Sequence, residues 1–501
     1  MRTKRSIKNL SIDFCITFSL VFSAFILRKI FIDEMGSNIT GVMLLFTQLM
    51  GILNLAEMGV ATATASLLYK QLYNNDYNNI SILVSSARKI YIRIFYIFLI
   101  LGLILGVILQ IGIENVKSVN NSFYYWSIFV FNAAITYRYA HFSILLTSDQ
   151  KYYKTRIIQG CCKIVCVLIQ IISIIILKNF FIYLFIETII NIIQYFLFKK
   201  IIKKDYPLLT QTNEYDNSVS KKIKDVIYHK IGGALVFNTD YIIISKYLSL
   251  TMITIYSCYM MIFQAFSMIS NVLTNSLTAS VGNYLQDKDK LSSLDLWNQI
   301  RCMFFFLSST VTVLTYLLID SFIIMWIGED YILNDKITLV LMFNLFILLS
   351  RPGVDIFKNA SGQFGDIYLP IIEGLINIII SLLLIGYIGI LGVIIGTAIS
   401  NIIIIYFAKP IYLYKKIFHL QSYKLIINQL KYLLQLILLI FITIKIKEHI
   451  PIENNSIISW LTYCLIYTLI LLPLNFLLYS INKDFRTLIM KLIKYHKKKN
   501  V

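Results

Sequence analysis

The chain has 501 residues, 58% of them apolar and 14% charged, with a formal net charge of +20 and a mean hydropathy of +0.73. A water-soluble chain carries about a quarter charged residues, so composition points to a membrane. Apolar stretches of about 20 residues each suit a helix crossing roughly 30 Å of hydrocarbon, and their continuity excludes the alternation of a β-barrel.

In chain order the expected membrane helices are 9–32, 40–68, 88–113, 122–147, 156–177, 179–199, 230–248, 251–282, 300–327, 336–358, 366–386, 388–408, 425–446 and 456–481. The start reads Arg2, Lys4, Arg5, Lys8 and then an apolar run to Ile32, too long for a signal peptide, so it reads as a retained first helix. Breaks are expected near Lys178-Asn179 and near Gly386-Tyr387. The fold class expected is an all-α integral membrane protein of about 14 transmembrane helices, two six-helix lobes plus two C-terminal helices. Residues 1–200 form the first lobe, 201–229 a cytoplasmic linker, 230–415 the second lobe, and 416–501 two additional helices with a basic tail.

Charge tests this path. With a cytoplasmic N-terminus, 34 of the 46 basic residues fall on the inner side and 8 outside. Lys and Arg retained on the cytoplasmic side then place both termini inside, in the inner (plasma) membrane. The positive charge therefore implies loop anchoring and no nucleic-acid partner. Trp126, Trp297, Trp326 and Trp460 fall near expected helix ends, where interfacial anchoring is expected. The seven cysteines read as small apolar residues, with no metal set and no disulfide. The outside loops are about ten residues or fewer, which leaves no external domain for a glycosyltransferase or polymerase. No Walker A motif, HExxH or nucleophile elbow is present, so the chain reads as a non-enzyme.

Polar groups within membrane helices are costly and normally face a cavity or a partner. Arg28, Lys29, Arg138 and Lys163 are the candidates for a cationic, substrate-binding cavity. Glu57, Glu187, Asp240, Asp355 and Glu373 are the candidates for ion pairing or for H⁺ or Na⁺ coupling; no other cofactor is expected. A pyrophosphate crosses hydrocarbon only if lost hydration is replaced, and Arg and Lys supply charge-assisted hydrogen bonds. Arg93, Arg351 and Lys358 lie within reach of helix ends and are expected to snorkel, a reading that Arg28 and Lys29 share beside the cavity one. His141 is expected to be packed, Gly353 after Pro352 to mark a kink, and Gly389, Gly392 and Gly396 to admit close helix contact.

Several motifs together resemble Wzx-type polysaccharide flippases. They are Arg28-Lys29 with Met35-Gly36 and Gly41, Leu55-Ala56-Glu57-Met58-Gly59, and Asn238-Thr239-Asp240-Tyr241 with Tyr256-Ser257. Further on come Trp326-Ile327-Gly328, Asn359-Ala360-Ser361-Gly362, Pro370-Ile371-Ile372-Glu373 with Asn377, and Gly389-x-x-Gly392-Val393-x-x-Gly396-Thr397. The resemblance covers about residues 9–410. It implies two lobes around a central cavity, alternating access, and an undecaprenyl-diphosphate-linked oligosaccharide moved from the cytoplasmic to the outer leaflet for O-antigen or capsule synthesis. A lipid-linked oligosaccharide and membrane lipids are then the partners, with a polysaccharide polymerase and a chain-length regulator as further ones. A lipid II or teichoic-acid precursor flippase, a MATE-like cation-coupled exporter and, in a different class, a membrane polysaccharide polymerase are the alternative readings.

Overall fold

A computed structural model describes residues 2–54, 58–212, 214, 216, 239–287, 289–450, 452 and 456–499. The described chain is helical throughout, with no strand. Eleven of its helices are long and apolar enough to cross a membrane, so the protein is a multi-pass membrane protein. It divides into two compact units, Met1–Thr254 and Ile255–Val501.

The first unit contains α1 (Arg2–Leu53), α2 (Met58–Asn74), α3 (Tyr77–Gly112), the single turn α4 (Glu114–Lys117), α5 (Ser122–Ser148), α6 (Tyr152–Leu177), α7 (Phe180–Asp205) and α8 (Thr239–Tyr247). α1 is two helices joined at Gly36, whose φ of 79° and ψ of 166° no helix contains. The joint falls between the expected segments 9–32 and 40–68. α3 begins eleven residues before its expected start at 88. The Asp76 side chain caps it by accepting from the Asn79 amide at 3.1 Å, and polar turns carry the helix beyond its apolar run. The expected break at Lys178-Asn179 is present: Lys178 is left-handed at φ 46°, and Asn179 caps α7. Of the expected helix 230–248, only 239–248 lies within the described residues, and Thr239–Tyr247 of it is helical.

Small residues set the packing of α3 on α5. A Cβ at Gly102 would stand 2.5 Å from Val130, and one at Gly106 would stand 2.3 Å from Trp126. This Gly-x-x-x-Gly notch admits the indole of Trp126, whose Nε1 donates to the Gly102 carbonyl at 2.7 Å. Trp126 is thus wholly buried, and Trp297 of the second unit is buried as well; neither is the interfacial anchor expected.

The second unit begins within α9 (Leu250–Asp287) and continues through α10 (Lys290–Ile327), α11 (Asp335–Ser350), α12 (Pro352–Ser361), α13 (Tyr368–Ile388) and α14 (Ile390–Ser400). A π-helical turn at Asn401–Ala408 leads into α15 (Lys409–Phe418), followed by α16 (Tyr423–His449), α17 (Ile457–Ser480) and α18 (Lys483–Lys499). The expected break at Gly386-Tyr387 falls instead at Gly389, with φ of 60° and ψ of −139°, a conformation that favours glycine. Past this turn α14 lies close on α13: a Cβ at Gly396 would stand 2.3 Å from the Ser381 hydroxyl oxygen. α10 starts ten residues earlier than its apolar run. Trp297 packs there against Phe357 and Phe418, with ring centroids 4.9 and 5.7 Å away.

Candidate functional site

A polar groove of about 260 Å³ lies in the first unit between α1, α5, α6 and α7. Residues three, four and seven apart share one helix face. Arg156, Gln159 and Lys163 therefore form a polar stripe along α6, and Glu187, Asn191 and Gln194 form a second along α7. α5 adds Tyr139, whose hydroxyl donates to Gln194 Oε1 at 2.6 Å. Behind the groove, Asn132 joins α5 to α7: its Nδ2 donates to the Leu184 carbonyl at 3.1 Å, and its Oδ1 accepts from the Thr188 hydroxyl at 2.5 Å. These bonds satisfy polar groups that lipid cannot, and they fix the facing of the two helices.

Two ion pairs stand in the groove. Lys163 Nζ lies 2.7 Å from Glu187 Oε1, with side-chain exposures of 49% and 29%. Arg156 Nε lies 2.5 Å from Asp13 of α1, and its terminal nitrogen donates to the Thr17 hydroxyl at 2.8 Å. Seven residues of helix separate the two cations, about 10 Å along the axis. Each cation is countered, yet the half-exposed ammonium of Lys163 is open to a competing anion. The groove can exchange a carboxylate for another oxyanion on the same cation, since both bind through charge-assisted hydrogen bonds.

The structure brings together only some of the residues singled out by sequence. Lys163 and Glu187 are direct partners. Arg28 is half-buried on α1 and within electrostatic reach of Tyr183, which also senses Lys163 and Glu187. Lys29 is exposed next to it. Arg138 does not line the groove; its guanidinium lies 5.8 Å from the Phe95 ring centroid on α3. His141 is buried, as its packed reading expected. Asp240 is half-buried in the first turn of α8. Glu57 lies outside the described residues.

Asp355 belongs to a separate cluster in the second unit. It accepts from Arg351 Nε at 2.9 Å and from Lys409 Nζ, and Lys358 pairs with Asp366. Glu373 shares the field of Arg351 and Lys409. Lys409, expected in a loop, is instead nearly buried on α15. Arg351 and Lys358 are likewise paired, where snorkelling was expected. Arg301, expected as an inner-side anchor at the start of helix 300–327, is buried on α10 between the rings of Trp297 and Phe305, 5.5 and 5.4 Å from their centroids. Sequence reading missed Arg156 by counting it, at the expected start of helix 156–177, among the inner-side basic anchors, and missed Tyr139, Gln159, Asn191 and Gln194 by weighing only charged residues. The repeated polar spacing on α6 and α7 was the available signal.

The fold defines a polytopic, all-helical membrane protein with polar grooves among its helices. No family model and no curated protein matches the sequence; the likeness is to solved structures. The chain is similar to the lipid II flippase MurJ in an inward closed conformation, with a TM-score of 0.70 at 16% identity over 95% of this chain and 99% of that one. It is also similar to an inward-facing multidrug resistance MATE family transporter of the MOP superfamily, with a TM-score of 0.64 at 12% identity over 82% of this chain and 98% of that one. A MATE structure in the bent conformation gives 0.54 at 12% identity, over 83% and 96%.

Proposed function

We propose that this protein is a flippase that carries an undecaprenyl-diphosphate-linked oligosaccharide from the cytoplasmic to the outer leaflet by alternating access, for surface polysaccharide synthesis. The observation that carries the reading is the Lys163–Glu187 pair in a polar groove, with Arg156 about two turns along the same helix. A diphosphate entering the groove displaces Glu187 from Lys163 and takes its charge-assisted hydrogen bond. Gln159, Asn191 and Gln194 offer amides to sugar hydroxyls. Protonation of the displaced Glu187 would link each cycle to a proton gradient.

The extent of the structural likeness supports a flippase over an exporter of the MATE type. The MATE structure leaves unmatched a share of this chain about as long as residues 416–501, whereas the lipid II flippase structure matches nearly all of it. That likeness also supports a second reading, in which the cargo is a lipid II-type precursor.

Gene deletion followed by analysis of lipid-linked intermediates tests the proposal. Complete repeat units held on the cytoplasmic face, with surface polymer lost, are expected. Incomplete or unextended sugars would point to an enzyme, and loss of viability with trapped cell-wall precursor would favour the second reading.

A further inference from the structure

A second recess, of about 480 Å³, opens in the second unit where α16 meets the junction of α17 and α18. Lys431, Lys483 and Arg486 line it together with Asp484, Asn428, Gln435 and Asn482. Asn482 Nδ2 donates to Gln435 Oε1 at 3.1 Å, and Gln435 Nε2 donates to the Leu478 carbonyl at 2.9 Å. These two bonds hold the junction against α16 and give the recess a fixed floor. Among the described residues, no carboxylate pairs with Lys431, Lys483 or Arg486 within ion-pair distance, although Asp484 lies in the same recess. Three exposed cations therefore converge with their charge largely unspent.

The surroundings of this recess are apolar. Leu430, Leu434, Ile437 and Phe441 form one exposed stripe of α16, with Leu434 at 65% and Phe441 at 61% exposure, and Leu477 and Ile481 are exposed beside them. From Leu430 to Phe441 the stripe rises about 16 Å, close to half the hydrocarbon thickness of a bilayer. A cationic recess at the head of an aliphatic track complements a molecule with an anionic head and acyl chains. Basic pockets between membrane helices bind such lipids by the phosphate.

We propose that this recess binds one anionic glycerophospholipid, its headgroup phosphate held by Lys431, Lys483 and Arg486 and an acyl chain laid along Leu430–Phe441. The site is separate from the groove of the first unit and does not rest on the transport reading. Full-length protein in a neutral detergent is titrated with phosphatidylglycerol and, separately, with phosphatidylcholine, and bound lipid is counted by native mass spectrometry. The wild type is expected to prefer phosphatidylglycerol. The double variant Lys431→Gln/Arg486→Gln is expected to bind it about thirtyfold more weakly. Both substituted side chains are exposed, and if the double variant is not monodisperse, Lys431→Gln alone is expected to lose about fivefold. Equal binding of the two lipids, undiminished phosphatidylglycerol binding by the variants, or displacement of the lipid by millimolar glycerol 3-phosphate would overturn the proposal. The last result would mark a site for free anions.

Discussion

Neutralising Glu187 isolates the interaction on which the groove depends. At 2.7 Å the Lys163–Glu187 attraction is about 6 kcal/mol for an effective permittivity of about 20. Nearly half of the Lys163 side chain is exposed, so solvent and competing dipoles reduce the net coupling. The net value lies between an exposed pair, worth under about 1 kcal/mol, and a buried one, whose disruption costs about 3–5 kcal/mol. We expect a coupling of about 1–2 kcal/mol. The assay is a double-mutant cycle over Lys163→Met, Glu187→Gln and the double variant, unfolded reversibly in mixed micelles. The double variant should lose less stability than the two single variants added together. Additivity within about 0.5 kcal/mol would refute the pairing as an energetic unit.

Three further outcomes follow from other parts of the fold. Asp355→Asn leaves Arg351 and the nearly buried Lys409 without their shared carboxylate, so it should cost about 3 kcal/mol and reduce the yield of monodisperse protein. Gly106→Val drives a branched side chain into Trp126 and should separate α3 from α5; thermal unfolding in detergent is expected to show a loss of about 2 kcal/mol or more. The Asp76 carboxyl is held below its ordinary 3.8, chiefly by the Asn79 side chain and also by that residue's amide. Its folded value being the lower, the cap stabilises α3 above the ordinary value and is lost as pH falls through the folded one. The melting difference between wild type and Asp76→Ala should therefore close as pH falls from about 5 towards 3.

Hydropathy made most of the helices legible because each crossing needs its own apolar run. It misplaced the starts of α3 and α10, where polar helical turns continue past that run. Charge was legible as residue type but not as partnership. Lys163 finds Glu187 on the neighbouring helix, and Asp355 finds Lys409 more than fifty positions away; no local pattern encodes either contact. The same limit turned Arg301 and Lys409 from expected inner-side anchors at helix ends into buried groups. Trp126 went inward because Gly102 and Gly106 open a notch of its size, a spacing present in the sequence but read only once α5 was known to cross there. Arg138 shows the reverse case: a cation in mid-helix that rests against Phe95 and contributes nothing to the groove lining.

Transport itself gives the most direct test. Purified protein in proteoliposomes is supplied with a fluorescent polyprenyl-diphosphate oligosaccharide, and its appearance in the opposite leaflet is followed by quenching. The account predicts flipping by the wild type, its loss in Arg156→Gln/Lys163→Gln, and retention in Arg138→Gln, with all three proteins equally folded. Full activity in the Arg156→Gln/Lys163→Gln variant would contradict it.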